Sequence, residues 1–244
     1  MSENTQVVIV GAGPVGLTLA IDLGKQGVRC CLVEQKEAPE FLPKMERCNA
    51  RTMEIYRRLG VVKHIREGGL NGDVPMDVFV ITKMTEPPLL QLDYDSVNQA
   101  QAKIAASEDT SEPAEAYQLV SQYTLEPILK SIAESLPSVS VMYGHAFEAF
   151  SQDETGVTTT VRRADGEVFS IRSEYMVGSD GGASRVRKAL DISLRGEGNI
   201  LKLRQALYRC DELFDRIPLG NGPGHGRHYH VADNQSSFLI MQDS

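Results

Sequence analysis

Four apolar residues, Val7 to Val10, run without a polar break into Gly11, which predicts a strand buried on both faces that stops at a tight turn. The spacing then becomes helical: Leu17, Leu19, Ala20 and Leu23 predict a helix opening at Pro14, suited to a first turn, and stopping near Gly27. A second apolar run, Val28 to Val33, ends on Glu34. A polar loop, 35–47, leads to a helix striped by Met53, Ile55, Tyr56 and Leu59, with Gly60 as its C′ residue. Residues 76–82 and 89–94 read as paired strands across Pro87-Pro88, and 96–116 as an exposed polar excursion with at most a short helix. Residues 120–134 read as a helix with Leu125, Ile128, Leu129 and Ile132 on one face and Pro127 in its first turn.

Three extended pieces follow, 139–143, 156–162 and 168–172. The Asp165-Gly166 turn makes them an antiparallel meander inserted into a parallel sheet. A strand at 175–178 then runs into Ser179-Asp180-Gly181-Gly182, placing Asp180 at a strand's C-terminal end, where a βαβ fold puts its ligand contacts. Beyond it, 205–208 and 237–241 read as strands around a Gly- and His-rich loop, 221–230.

Gly11, Gly13 and Gly16 stand at the spacing G-x-G-x-x-G. The first permits the sharp turn, the second lets backbone approach a pyrophosphate with no side chain between, and the third lets the helix lie close on the strand. The helix's first N–H groups and positive dipole end supply the anion binding. Glu34 stands 18 residues after Gly16, near the position of the acid that takes an adenosine ribose; an acid there argues for FAD or NAD over NADP. A glycine triplet alone also occurs in plain βαβ turns, but strand, triplet, helix, strand and acid in order specify a dinucleotide site.

Charge narrows the partners. A net charge of −8 over 244 residues speaks against nucleic acid and anionic membranes, and no segment approaches the roughly 18 apolar residues of a membrane span. The start, Met1-Ser-Glu-Asn-Thr, lacks a basic, apolar leader, so a cytoplasmic protein is expected. Cys30, Cys31, Cys48 and Cys210 show no metal or redox spacing and read as reduced thiols. His225, His228 and His230 lack an acid or cysteine at metal spacing, so no metal is expected. Lys44, Arg47 and Arg51 gather positive charge beside the nucleotide motif; solvated face and ligand contact both stay open.

Three separated pieces together resemble one family, the flavin-dependent aromatic hydroxylases of the para-hydroxybenzoate hydroxylase type. They are Gly11-Ala-Gly-Pro-Val-Gly-Leu with Glu34; Asn49-Ala-Arg-Thr-Met-Glu-Ile-Tyr-Arg-Arg-Leu-Gly with Gln122 ahead of Leu125-Glu-Pro-Ile-Leu; and Val177-Gly-Ser-Asp-Gly-Gly-Ala-Ser-Arg-Val-Arg-Lys. The first is common to many flavoproteins, whereas the Asp-Gly motif in this order and distance is more specific.

The resemblance implies an α/β fold: a Rossmann-like FAD-binding domain of parallel sheet plus antiparallel meander, over 1–74 and 117–190. An interleaved, incomplete β-sheet substrate domain would take 75–116 and 191–244. It implies that Glu34 binds the adenosine ribose, Gln122 and either Lys44 or Arg47 the pyrophosphate and ribityl region, and Asp180 the ribityl or ribose. Gly11, Gly13, Pro14, Val15, Gly16, Gln35 and Gly181 complete the cofactor set. The family often carries Arg where this chain has Lys44. Its third fingerprint, of Gly-Asp-Ala-Ala-His type, is missing here, since Gly72-Asp73 is misplaced, so a truncated product or fragment is expected.

The implied reaction uses FAD, NADH or NADPH and O2 to hydroxylate a small aromatic substrate through a flavin hydroperoxide. Tyr208, His228, Tyr229 and His230 are nearby candidates for taking a phenol's proton, with a structural role the favoured reading for each and the catalytic residues unassigned, and a homodimer stays open. Two alternatives stand beside it: a flavin-dependent NAD(P)H dehydrogenase or reductase, and an FAD-binding fragment without catalysis.

Overall fold

A computed structural model describes residues 3–42, 44–198, 200, 202–212, 221–233 and 237–241. The chain divides into two compact units, 1–43 with 122–203 and 44–121 with 204–244. The segment 44–74, expected with the nucleotide-binding part, packs instead in the second unit, and the return to the first falls at Gln122 rather than Tyr117.

The first unit begins with β1 (Glu3–Asn4), β2 (Val7–Val10), α1 (Pro14–Lys25) and β3 (Cys30–Glu34). The second supplies β4 (Arg47–Cys48), α2 (Ala50–Arg58), α3 (Val62–Gly68), β5 (Val78–Ile81), β6 (Leu90–Leu92), α4 (Val97–Ala106) and β7 (Gln118–Leu119). The first resumes with α5 (Gln122–Glu134), β8 (Val139–Tyr143), β9 (His145–Asp153), β10 (Gly156–Arg163), β11 (Val168–Ser173), β12 (Tyr175–Gly178) and α6 (Arg185–Ala189). The second ends with β13 (His228–Val231) and β14 (Phe238–Ile240).

In the first unit β12-β2-β3-β8 form an all-parallel sheet. Helices cover one face, where Leu17, Ala20 and Ile21 of α1 and Leu125, Leu129 and Ala133 of α5 are buried. On the other face Val8, Val10, Cys31 and Val33 pack against Phe147, Val161 and Ile171 of a second sheet, β1-β11-β10-β9. Coverage on both sides is why β2 reads as an unbroken apolar run. In α5 the buried stripe is Leu125, Leu129 and Ala133, while Ile128 and Ile132 are only half-buried. Pro127 lies inside the helix rather than in its first turn and faces solvent, so its missing N–H removes one helical bond on the outer side.

The meander was expected from 139–143, 156–162 and 168–172; β10 and β11 pair antiparallel as expected, but β8 pairs parallel with β3, and the other antiparallel partner of β10 is β9. A bulge in the β9–β10 register turns Phe147 and Phe150, three residues apart, onto one core. The strand therefore lacks the two-residue alternation by which strands are recognised.

In the second unit β14-β13-β5-β6 form a mixed sheet whose small core is Phe79, Ile81 and Tyr229. Met53, Tyr56 and Ile65 bury the inner faces of α2 and α3, and the Asn49 side chain accepts from the Thr52 N–H at 2.9 Å to cap α2. The excursion at 96–116 holds more helix than expected. Ser96 and Gln99 form a reciprocal capping box that starts the ten-residue α4. Residues 205–208 form no strand, and His228, Tyr229 and His230 lie on β13 rather than in a loop.

Candidate cofactor site

The parallel strand order reverses at β2, whose two sheet neighbours β3 and β12 come from early and late in the chain, and the crevice beyond such a reversal is where open α/β sheets bind ligands. Two sequence motifs meet there. Gly11 has φ +105°, and a Cβ on it would stand 2.5 Å from the Ser179 carbonyl oxygen and 2.9 Å from the Asp180 Cα. Gly16 lies so close to the turn that a Cβ would overlap the Gly11 carbonyl oxygen. Gly13 differs: a Cβ there would meet nothing within 4 Å, so the space in front of it is open. Gly13 is the N-cap of α1, with no side-chain cap bond and no acid in the first turn, Pro14 at the helix start and Val15 exposed.

Glu34 closes the turn from the next strand. Its Oε2 accepts the Ala12 N–H at 2.8 Å and its Oε1 the Lys36 N–H at 3.0 Å, while Gly11 N–H donates to the Val33 carbonyl at 2.8 Å. Gln35 beside it is exposed. Asp180 is half-buried and receives the Ser184 hydroxyl at 2.5 Å and the Arg185 N–H at 2.6 Å; Gly181, at φ +79°, has open space beside it. An uncapped helix start, an open glycine and an anchored carboxylate fit a dinucleotide cofactor, since the polyanion needs free N–H groups and backbone it can approach.

Gln122, the first residue of α5, is buried, and its Nε2 donates to Glu126 Oε1 at 2.6 Å. Burial raises the Glu126 pKa above the ordinary carboxylate value, against the Gln122 hydrogen bond, the nearby Lys36 charge and the Glu40 backbone N–H, which lower it. Tyr143, at the end of β8 opposite Glu34, buries a hydroxyl without a hydrogen-bond partner, and burial followed by the charges of Glu126 and Glu34 raises its pKa. A cavity of about 330 Å³ is lined by Phe41, Tyr123 and Pro127 among others.

Lys44 and Arg47 belong to the second unit and are exposed, Arg47 pairing with Leu119 between β4 and β7. Between them Glu46 accepts from Arg227 Nε at 2.9 Å and meets His228 Nε2 at 2.7 Å. Arg227 is 1% exposed. Burial works to raise the Glu46 pKa, but the His228 hydrogen bond and the His228 and Arg227 charges outweigh it and leave the carboxyl below its ordinary value. The four proton-transfer candidates are not gathered into one group. Tyr208 is exposed, His230 lies on the exposed side of β13, and His228 is held by Glu46. Tyr229 is fully buried, stacks on Phe79 at 5.5 Å, donates to the Gly224 carbonyl at 2.9 Å and accepts the Gly226 N–H at 2.8 Å. Among the described residues, no group of three His, Cys, Asp or Glu could hold a metal and no helix could cross a membrane.

Sequence reasoning passed over Glu126, Tyr143, Glu46 and Arg227. Glu126 left a signal, since an acid four residues after Gln122 on one helix faces it. Glu46 and Arg227 are 181 residues apart and left none.

Fold and site define a dinucleotide-binding α/β protein. Comparison with known proteins narrows the class: residues 4–219 match the family model described as FAD binding domain. An FAD-dependent monooxygenase of Emericella nidulans is 32% identical over 78% of this chain and 31% of its own length. The 3-(3-hydroxy-phenyl)propionate/3-hydroxycinnamic acid hydroxylase of Comamonas testosteroni is 31% identical over 80% of this chain and 30% of its own. Among solved structures, the flavin-dependent monooxygenase PieE in complex with FAD and substrate superposes with a TM-score of 0.72 at 30% identity, covering 81% of this chain and 34% of that one. The chain belongs to the FAD-binding-domain family of the FAD-dependent aromatic hydroxylases, and it spans about a third of the length of these relatives.

Proposed function

We propose that this chain is the FAD-holding part of a monooxygenase that hydroxylates a phenolic or other electron-rich aromatic substrate, using NADH or NADPH and O2. The observation that carries the reading is the meeting of the Gly11 turn with Ser179 and Asp180 at the strand-order reversal, in a chain whose family is defined by FAD binding. Two relatives, a 3-(3-hydroxy-phenyl)propionate hydroxylase and a 2,4-dichlorophenol 6-monooxygenase, carry phenols in their names and support that substrate class. The net charge of −8 fits neither nucleic acid nor an anionic membrane as partner, and we read the protein as cytoplasmic.

The α1 N-terminus and the open backbone at Gly13, with Pro14 and Val15, receive the pyrophosphate, and Gly11 and Gly16 shape that turn. Glu34, with Gln35 beside it, takes the adenosine ribose. Gln122 and either Lys44 or Arg47 serve the pyrophosphate and ribityl region, and Asp180 with Gly181 the ribityl chain. Bound FAD supplies the redox chemistry between the nicotinamide, O2 and the ring, while the protein orients the partners and excludes water.

The test is the visible absorption spectrum of the 244-residue chain after loading with FAD and gel filtration. One retained, protein-shifted flavin per chain is the expected result; flavin lost to the column overturns the reading for this chain. For a parent protein containing the chain, phenol-stimulated NAD(P)H oxidation must yield hydroxylated product. Oxidation without product would make it a reductase.

A further inference from the structure

We propose that Glu126 is a positioning residue of the cofactor site: its buried carboxylate holds the Gln122 amide in one orientation and docks the loop that follows Glu34 onto α5. The inference rests on the reading of Gln122 as an FAD contact.

Glu126 is 5% exposed, yet two elements converge on it. From one turn earlier in α5, Gln122 Nε2 donates at 2.6 Å; from the loop after β3, the Glu40 N–H donates as well. The same loop is stapled to the same helix by the stacked rings of Phe41 and Tyr123, 5.0 Å apart, and closed on itself by the Lys36–Glu40 ion pair at 2.6 Å. Lys36 also donates its backbone N–H to Glu34. One short stretch, 34–41, thus runs from the carboxylate assigned to the adenosine to the group that fixes Gln122.

A helix-start glutamine has a flexible side chain and an amide whose two ends are chemically opposite, donor and acceptor. With Nε2 committed to a carboxylate, which only accepts, the amide cannot flip, and a ligand meets it in one orientation. A buried ionisable group is costly to keep unless it is hydrogen-bonded, and hydrogen bonds converging on this single carboxylate supply that compensation. The groups around it are Gln122 on α5, Lys36 and Glu40 on the loop, and Tyr143 at the end of β8. Burial that raises the Glu126 pKa means this lock is weakened in acid sooner than an exposed carboxylate would be.

The test is a double-mutant cycle on the FAD affinity of the 244-residue chain, with Glu126→Ala and Gln122→Ala alone and combined. Loss of one charge-assisted hydrogen bond predicts that Glu126→Ala weakens FAD binding about tenfold, that Gln122→Ala does at least as much, and that Glu126→Ala adds little in the Gln122→Ala background. Glu126→Gln, which keeps an acceptor oxygen, restores most of the affinity. Equal loss in both backgrounds would make Glu126 a purely structural residue and overturn the proposal. Wild-type FAD binding that Gln122→Ala leaves intact overturns it too, while the wider FAD reading stands.

A second readout needs no flavin. In the apo chain the Gln122 side-chain amide protons, followed by nitrogen–proton NMR, exchange slowly in the wild type and rapidly in Glu126→Ala. A Gln122 amide that already exchanges freely in the wild type overturns the clamp whether or not the chain binds FAD. A protected amide in a chain that fails to retain FAD sinks the cofactor reading, and the positioning role falls with it.

Discussion

Gly11 lies against Ser179 so closely that the sheet closes around the absence of a side chain: a Cβ would stand 2.5 Å from the Ser179 carbonyl oxygen, at a φ of +105° that side chains rarely adopt. Both obstacles are backbone, which cannot rotate away. Gly11→Ala is expected to lose about 2–3 kcal/mol of stability, from the strained φ together with the steric conflict, seen as a lower urea midpoint. An unchanged midpoint would mean that the turn and the Ser179 loop are not held together.

Gly13 gives the complementary result. Its φ is −71° and nothing stands within 4 Å of where a Cβ would lie. Gly13→Ala should therefore cost the apo protein only about 0.5–1 kcal/mol, the preference for Gly over Ala at an N-cap, with no steric conflict added. FAD retention should fall, because the methyl group fills the approach to the pyrophosphate. Urea unfolding and flavin retention on the same variant separate the two effects.

Arg227 and Glu46 form an ion pair in which the guanidinium is 1% exposed and the carboxylate side chain 15%. Removing Arg227 leaves the largely buried Glu46 carboxylate still bonded to His228, so Arg227→Met is expected to cost about 1–3 kcal/mol at pH 7, less than an unpaired buried charge would. Pairing Arg227→Met with Glu46→Gln should recover most of that loss, which thermal unfolding of the three variants would show.

The same carboxylate sets a pH dependence. The Glu46 pKa is lowered on folding, so its contribution to stability is present above the ordinary carboxylate value of 4.5 and disappears as pH falls through the lower folded value. Wild type should lose stability in that acidic window more steeply than Glu46→Gln. Parallel slopes in urea titrations at successive pH values would contradict the pairing.

Tyr229 invites a catalytic assignment that its contacts oppose. With its hydroxyl bonded to Gly224 and Gly226 inside the sheet core, Tyr229→Phe should cost about 1–2 kcal/mol of stability. The pH profile of substrate hydroxylation by a parent protein should not move. A shifted profile would restore Tyr229 as the group that takes a phenol's proton.

Local chemistry is what a chain displays most openly. The apolar run into Gly11, the glycine spacing and the acid at Glu34 were legible because each depends on neighbours within one βαβ unit, and the Asp180 turn because a strand of similar kind precedes it. The Gln122–Glu126 pair lay within reach of a helical spacing argument. β9 was not legible, since its bulge breaks the alternation that marks a strand. Nor was the role of Tyr229, whose hydroxyl partners are set by how the loop before β13 folds back.

By itself, then, the sequence determined the glycine turn of the nucleotide-binding unit, the strands and helix that flank it, and its cofactor class, because glycine conformational freedom, helix dipoles and apolar periodicity act over a few residues. Tertiary structure alone decided that residues 44–74 pack with the second unit, that Gly11 meets Ser179, and that Glu46 pairs with Arg227. Those outcomes depend on contacts well beyond one βαβ unit, the last two across more than a hundred residues, where close packing and the cost of burying a charge select the partner and no local pattern records the choice.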